Sequence, residues 1–434
     1  MKIAVYQAQQ FKNQFLNKRK SRSQANHVTQ VAQEVIDAVY NQGEKALRSY
    51  IKQFDGSVPN ELLVSDQERE RAWQQVSERT VQALQNAAEN IRTFHNKQLN
   101  QSKFMQHDEQ IVSGQLFQPI DRVGIYVPGG TACYPSSVLM NAIPAKIAGV
   151  AEIIMVTPAR DGQEIAPILS VAADIAGVTR IYKVGGIQAI AALTYGTESI
   201  PVVDKIVGPG NAYVAAAKAL VYGDVGIDMI AGPSEVAIIA DDSANPKHVA
   251  ADLIAQAEHD VQARTVLFTP SAQLIAATKA ELATQLETLP RTSIASEAIL
   301  TNGALVQVSD LTEAFDLANM LAPEHLEIQL DHALSYLSHV KHAGSVFLGH
   351  YTPESLGDYY AGPNHVLPTS GTAKFSSGLS VDDFMKKTTF LYYSQQALAT
   401  AAKDIVTLAE EEQLSGHARA VTKRLEVKKN DPSG

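Results

Sequence analysis

The sequence predicts an α/β protein built on two parallel sheets, with helical segments before and after them. Three observations carry this. From about residue 122, short apolar runs alternate with amphipathic stretches, the pattern of βαβ units and doubly wound parallel sheet. Nine such runs are present, and nine strands suit two sheets better than one. Residues 26–97, and the chain beyond 381, carry apolar positions at helical spacing instead.

Taken in order, residues 1–16 hold four glutamines among apolar residues and lack the uninterrupted apolar core of a secretory signal. Residues 1–25 read as a helical extension, with the basic run 18–22 on a solvated face. Val28, Val31, Ala32, Val35 and Val39 mark a helix, Gly43 breaks it, and Leu47, Tyr50 and Ile51 resume the pattern. Ser65 and Glu68 have capping-box spacing and open a long helix through Trp73, Val76, Leu84, Ile91 and Phe94. The nine runs are 122–127, 152–156, 180–184, 204–207, 235–240, 264–269, 304–308, 326–329 and 344–348. The glycine-bearing passage 223–234 is the crossing between sheets. Residues 397–412 and 416–427 form two closing helices, and 428–434 a frayed end.

Composition narrows the function. A net charge of −10 and a pI near 5.7 argue against a nucleic-acid binder, which needs a basic face. A single cysteine, Cys133, excludes an internal disulfide and a multi-cysteine zinc site. No stretch approaches the ~20 apolar residues of a membrane span, so the cytoplasm is the expected location.

Chemistry-bearing residues gather in a few places. Glycine turns follow three runs: Pro128-Gly129-Gly130, Gly185-Gly186 and Gly208-Pro209-Gly210-Asn211. Turns that open a helix after a parallel strand are where such folds bind ligands. The G-x-G-x-x-G fingerprint is incomplete, because Tyr213 stands where its third glycine belongs. Gln256 and His259 are three apart near a helix end and share a face. Glu324 and His325 offer a carboxylate and an imidazole after Pro323, whose irregular approach lets both reach one pocket. Residues 354–368 read as a loop carrying Glu354, Asp358 and His365. Glu412 and His417 flank a break between helices. Singly, each has a structural reading as a turn, a cap or a polar surface. His95, His107, His248, His332, His339 and His342 have no partner in the sequence pattern and receive no role.

In order and spacing, eight stretches resemble histidinol dehydrogenase. They are Val123-Gly-Ile-Tyr-Val-Pro-Gly-Gly130, Ser137-Val-Leu-Met140, Val184-Gly-Gly-Ile-Gln-Ala-Ile-Ala191 and Val207-Gly-Pro-Gly-Asn-Ala-Tyr213. Ala231-Gly-Pro-Ser-Glu235, Gln256-Ala-Glu-His259, Ala322-Pro-Glu-His-Leu326 and residues 354–368 complete the set. The resemblance implies an intertwined homodimer of chains with two incomplete Rossmann-like domains. Residues 26–122 and 236–380 would make the larger, 123–235 the second, and 381–434 a helical tail completing the partner's site. It also implies one zinc per subunit, held by Gln256, His259, Asp358 and His417. Ser234, His325, His365 and Glu412, with those four ligands, would contact substrate; Tyr126, Gln188 and Asn211 would contact NAD. The implied reaction is the four-electron oxidation of L-histidinol through L-histidinaldehyde to L-histidine, with His325 and Glu324 as bases. Two positions depart from the family pattern: Gln413 replaces a glycine, and Cys133 an alanine or proline. On the residues alone, a zinc hydrolase with Glu324 as base, or a two-domain small-molecule binder, remains open.

Overall fold

The computed structural model describes residues 3–16, 25–129, 133–159, 164–230 and 232–426. Strand β1 (Ala4–Gln7) leads into helix α1 (Ala8–Gln10) and a π-helical turn, followed by α2 (Ala25–Gln42), α3 (Glu44–Asp55), α4 (Asp66–Gln75) and α5 (Glu78–His95). A hairpin of β2 (Lys103–Asp108) and β3 (Ile111–Pro119) precedes the alternating region. That region begins β4 (Arg122–Tyr126), α6 (Pro135–Ala148), β5 (Glu152–Thr157), α7 (Pro167–Ala176), β6 (Arg180–Lys183), α8 (Gly186–Tyr195), β7 (Lys205–Val207), α9 (Ala212–Val221) and β8 (Gly226–Ile227). It continues with β9 (Glu235–Ala240), α10 (Pro246–Ala257), β10 (Arg264–Thr269), α11 (Ala272–Leu286), α12 (Thr292–Asn302), β11 (Ala304–Gln307), α13 (Leu311–Leu321), β12 (His325–Gln329), β13 (Ser345–Leu348) and α14 (Glu354–Tyr359). The chain closes with β14 (Met385–Tyr393), α15 (Gln395–Glu411) and α16 (Ser415–Leu425).

Two parallel sheets result. The first has the order β6-β5-β4-β7-β8, so its first strand is central and later strands step outward in both directions. The second has the order β1-β11-β10-β9-β12-β13. All six residues of β9 are buried, as expected for a central parallel strand covered on both faces. Val236 and Ile238 pack with Leu253 of α10 on one face, while Ala237 and Ile239 pack with Leu317 of α13 on the other.

The chain divides into two compact units. One holds residues 1–99 and 120–384, with both parallel sheets; the other holds 100–119 and 385–434. The second unit is an antiparallel sheet of order β14-β3-β2 with α15 and α16. Among the described residues, no helix is long and apolar enough to cross a membrane.

All nine predicted runs are strands, and several other expectations are corrected. Residues 4–7 pair with β11 as an edge strand instead of forming a helical extension, and Phe11 anchors the turn after them, edge-on to Phe268 at 5.2 Å. The Ser65 capping box is present, but Val76 turns extended and Ser77 caps a new helix by accepting from the Thr80 N–H. The segment from 381 opens with one 3-10 turn (Val381–Phe384) and then forms the strand β14 before its helices. The expected loop at 354 begins with the helix α14. Finally, α2 and α3 bury Ala32, Val35, Leu47 and Ile51 in one core with Ile154, Tyr182 and Ile190. Their apolar faces thus cover the five-stranded sheet, and this segment goes with 123–235, not with 236–380.

Candidate active site

Three elements of the six-stranded sheet unit supply the site: the end of α10, the start of β12, and α14. On β12, His325, Glu327 and Gln329 alternate with Leu326 and Ile328. Alternate strand residues share a face. Leu326 and Ile328 join the apolar core beside α13, leaving the three polar residues on the side of α10.

The expected irregular approach to β12 is present. Ala322 is left-handed (φ 47°). The Glu324 carboxylate accepts from the Glu235 N–H at 3.0 Å and lies 3.9 Å from His325 Nδ1, so the two residues do reach one place. His325 Nδ1 is 3.1 Å from the Glu235 carbonyl. The Gln256 amide also stands 3.0 Å from Nδ1, so the close polar neighbours of the ring gather on that nitrogen. Among the described residues Nε2 has no hydrogen-bond partner; it is buried 4.0 Å from Asp358 Oδ1. His325 lines a cavity of about 110 Å³ together with Phe347, Gly357, Asp358, Asn364 and His365. Gly357 belongs there because a Cβ would sit 2.6 Å from the Phe347 ring.

His259, Glu354 and Asp358 place one ligand atom each within 4.8 Å of one another. Glu354 and Asp358 are four apart on α14 and therefore share a face. Glu354, whose role the sequence left open, thus joins two expected ligands. Gln256 stands beside them. One atom of its amide lies 3.2 Å from the Glu235 carbonyl and 3.1 and 3.3 Å from the Glu354 oxygens. Only a donor suits those acceptors, so that atom is the nitrogen, and the amide oxygen is turned away from Glu354. His365 Nδ1 contacts the Asp358 carbonyl at 3.0 Å, and its Nε2 is 3.3 Å from the Ser137 hydroxyl. Ser234 stands near the Glu324 carboxyl and partly offsets the rise in its pKa.

Electrostatics agree with this crowding. Burial, then the charge of Asp358, raises the Glu354 pKa well above the carboxylate range. Burial likewise raises Glu324, partly offset by the Glu235 N–H. Burial lowers His325 to about 4, against the opposing pull of Asp358, and lowers His365. The imidazole of His325 is therefore neutral and able to accept a proton at neutral pH. Packed carboxylates with an imidazole, a carboxamide and no thiolate form an oxygen–nitrogen donor set that fits zinc. A bound cation would reverse the rise in carboxylate pKa.

At the carboxyl ends of β4 and β7 the strand order of the five-stranded sheet reverses, the position where such folds bind ligands. A Cβ on Gly208 (φ 110°) would lie 2.2 Å from the Tyr126 carbonyl, so only glycine permits this approach. The Gly186 N–H donates to the Tyr126 hydroxyl at 3.2 Å, tying β4 to the start of α8. Gln188 is fully buried, and among the described residues neither of its amide atoms has a partner. Buried polar groups are rarely left so, and a carboxamide free in both senses fits a polar ligand such as NAD. Asn211 caps α9, its side-chain oxygen accepting from the Tyr213 and Val214 N–H groups at 3.0 and 3.1 Å.

Glu412 and His417 belong to the other unit. Glu412 closes α15, His417 lies in the first turn of α16, and both are exposed. Gln413 between them is left-handed (φ 59°), which explains the glycine of the family pattern. Cys133 is exposed. Sequence reasoning missed Asp252, Glu327 and Gln329. For Glu327 and Gln329 the signal was available: polar residues at every second position of 325–329 in a fully buried strand.

Comparison with known proteins agrees with the motifs. The family model for histidinol dehydrogenase matches residues 18–425. A histidinol dehydrogenase of Streptococcus mutans is 54% identical over 397 residues, 92% of each chain. One from Bacillus cereus is 54% identical over 409 residues, 93% of this chain and 95% of the relative. The crystal structure of histidinol dehydrogenase from Elizabethkingia anophelis matches with a TM-score of 0.92 at 39% identity, covering 98% of both chains. The chain belongs to the histidinol dehydrogenase family.

Proposed function

We propose that this chain oxidises L-histidinol to L-histidine in two successive hydride transfers, with His325 and Glu324 as its bases. The observation that carries this is the neutral imidazole of His325, which lines a cavity and whose buried Nε2, near Asp358, has no hydrogen-bond partner among the described residues. His325 takes the alcohol proton as the aldehyde forms. Glu324, whose affinity for a proton burial has raised, takes one from the water that adds to the aldehyde. His325 acts again as the hydrate is oxidised. NAD, when bound by Tyr126, Gln188 and Asn211, supplies the hydride acceptor for each oxidation. Zinc, when held by Gln256, His259, Asp358 and His417, supplies a fixed anchor for the substrate, and Glu354 backs the Gln256 amide. Substrate contacts fall to the four zinc ligands with Ser234, His325, His365 and Glu412. Holding the intermediate between two oxidations is a positioning effect.

NADH formation from histidinol and NAD by the zinc-loaded protein tests the reaction. His325→Asn should cut turnover by about 10²–10⁴-fold, the usual worth of a general base, while retaining zinc. Wild-type rates in that variant, or no NADH from the loaded wild type, would refute the assignment. We also propose a homodimer in which Glu412 and His417 complete the partner's site, supported by their exposure on the smaller unit. Mixing inactive His259→Asn and His417→Asn chains after dissociation should restore activity, since a mixed dimer regains one intact site. If every chain builds its own site, none returns.

A further inference from the structure

Glu327 and Gln329 lie on the same face of β12 as His325, yet the proposed chemistry uses neither. Both are almost fully buried, at 1% and 3% exposed. Glu327 Oε1 accepts the Glu354 N–H at 2.9 Å. This N–H opens α14, whose N-cap is Pro353 and offers no side-chain acceptor, so the helix start is satisfied from a strand 27 residues away. The Gln329 amide spends both hydrogens, one on Glu327 Oε2 and one on Asp252 Oδ2, each at 2.8 Å. The Asp252 and Glu327 carboxyls thus share one donor, and burial raises the affinity of both for a proton. Asp252 is one turn before Gln256 on α10. One hydrogen-bonded cluster therefore joins the three elements that carry Gln256 and His259, His325, and Glu354 and Asp358.

We infer that Asp252, Glu327 and Gln329 form a positioning clamp that sets the spacing of the proposed metal-site residues. The inference rests on the metal reading given above. The cluster is a partner of partners: it fixes backbone and helix position, and through them the ligand atoms. Such outer partners are worth about 10–100-fold in metal affinity.

Zinc release from the loaded full-length protein to a chromogenic chelator tests it, with Glu327→Leu and Glu327→Gln. Leucine fills the space without a hydrogen bond, and release should quicken at least ~10-fold. Glutamine should stay near wild type. Its oxygen still accepts from the Glu354 N–H and its NH2 donates to Asp252, while Gln329 can turn its unpartnered Oε1 toward it. Unchanged release from Glu327→Leu, or equal release from both variants, overturns the clamp, since the second result would reflect packing alone. If wild type holds no zinc, the metal reading falls separately. The clamp is then judged by amide hydrogen exchange at 354–358, which must be faster in Glu327→Leu than in Glu327→Gln. If Glu327→Leu does not fold, Gln329→Met takes its place in both measurements, with the same direction required.

Discussion

Asp55 is the last residue of α3, followed by Gly56, and it sits at the negative end of that helix dipole. Its Oδ2 is buried and has no hydrogen-bond partner among the described residues. Burial raises its pKa from 3.8 to about 6. The folded state thus holds this proton more tightly than the unfolded chain. Folding takes up protons between those two values, and stability falls as pH rises through them. Above that window the full penalty applies. At about 1.4 kcal/mol per pH unit the difference bounds it near 3 kcal/mol, and because the group is only partly buried, solvent screening reduces it to about 1–2 kcal/mol. Asp55→Asn removes the charge with little change of shape. Urea unfolding at pH 7.5 should show the variant more stable by about 1–2 kcal/mol, and the gap should close as pH is lowered toward 4. Equal or lower stability of the variant at pH 7.5, or a gap independent of pH, would refute this account.

Two further outcomes follow from burial and backbone geometry. Lys218 and Asp228 form an ion pair with side chains 4% and 1% exposed, and Lys218 also donates to the Gly208 carbonyl at 3.0 Å. Lys218→Met strands a buried carboxylate and should cost about 3–5 kcal/mol in urea unfolding; wild-type stability would show the pair to be dispensable. Gln413 holds a left-handed backbone at φ 59°. Gln413→Gly should leave thermal stability unchanged or raise it by up to about 1 kcal/mol, and a clear loss would contradict the strain.

Strands buried on both faces were legible, because a continuous apolar run needs no partner to be recognised. Strands of the smaller unit were not. β14 is mostly exposed, and its partner β3 lies far earlier in the chain, with Phe390 opposite Gly114. Neither local composition nor period encodes such a pairing. β1 and β8 have four and two residues, too few to establish alternation. In the site, Asp358 and His259 could be named only through the ordered motifs, since nothing local joins residues a hundred positions apart. Glu354 shows the converse. Its chemistry was visible in the sequence, but its place beside Gln256 depends on α14, which glycine-rich composition disguised as loop.

The polar face of β12 explains how such a site is tolerated inside a sheet. Burying three polar side chains is costly unless each finds a partner. Residues two apart on a strand are separated by about 6.6 Å, and residues four apart on a helix by about 6 Å along the axis. Asp252 and Gln256 on α10 therefore match the strand's alternate positions, Gln256 opposite His325 and Asp252 opposite Glu327 and Gln329. The helix numbering rises as the strand numbering falls, which is what a crossover helix between parallel strands must do. A one-residue slip of β12 would bring Leu326 and Ile328 to this face and turn the charged groups into the core beside Leu317 and Leu321. The register that buries the apolar residues is thus the same one that assembles the site, so selection for either maintains the other.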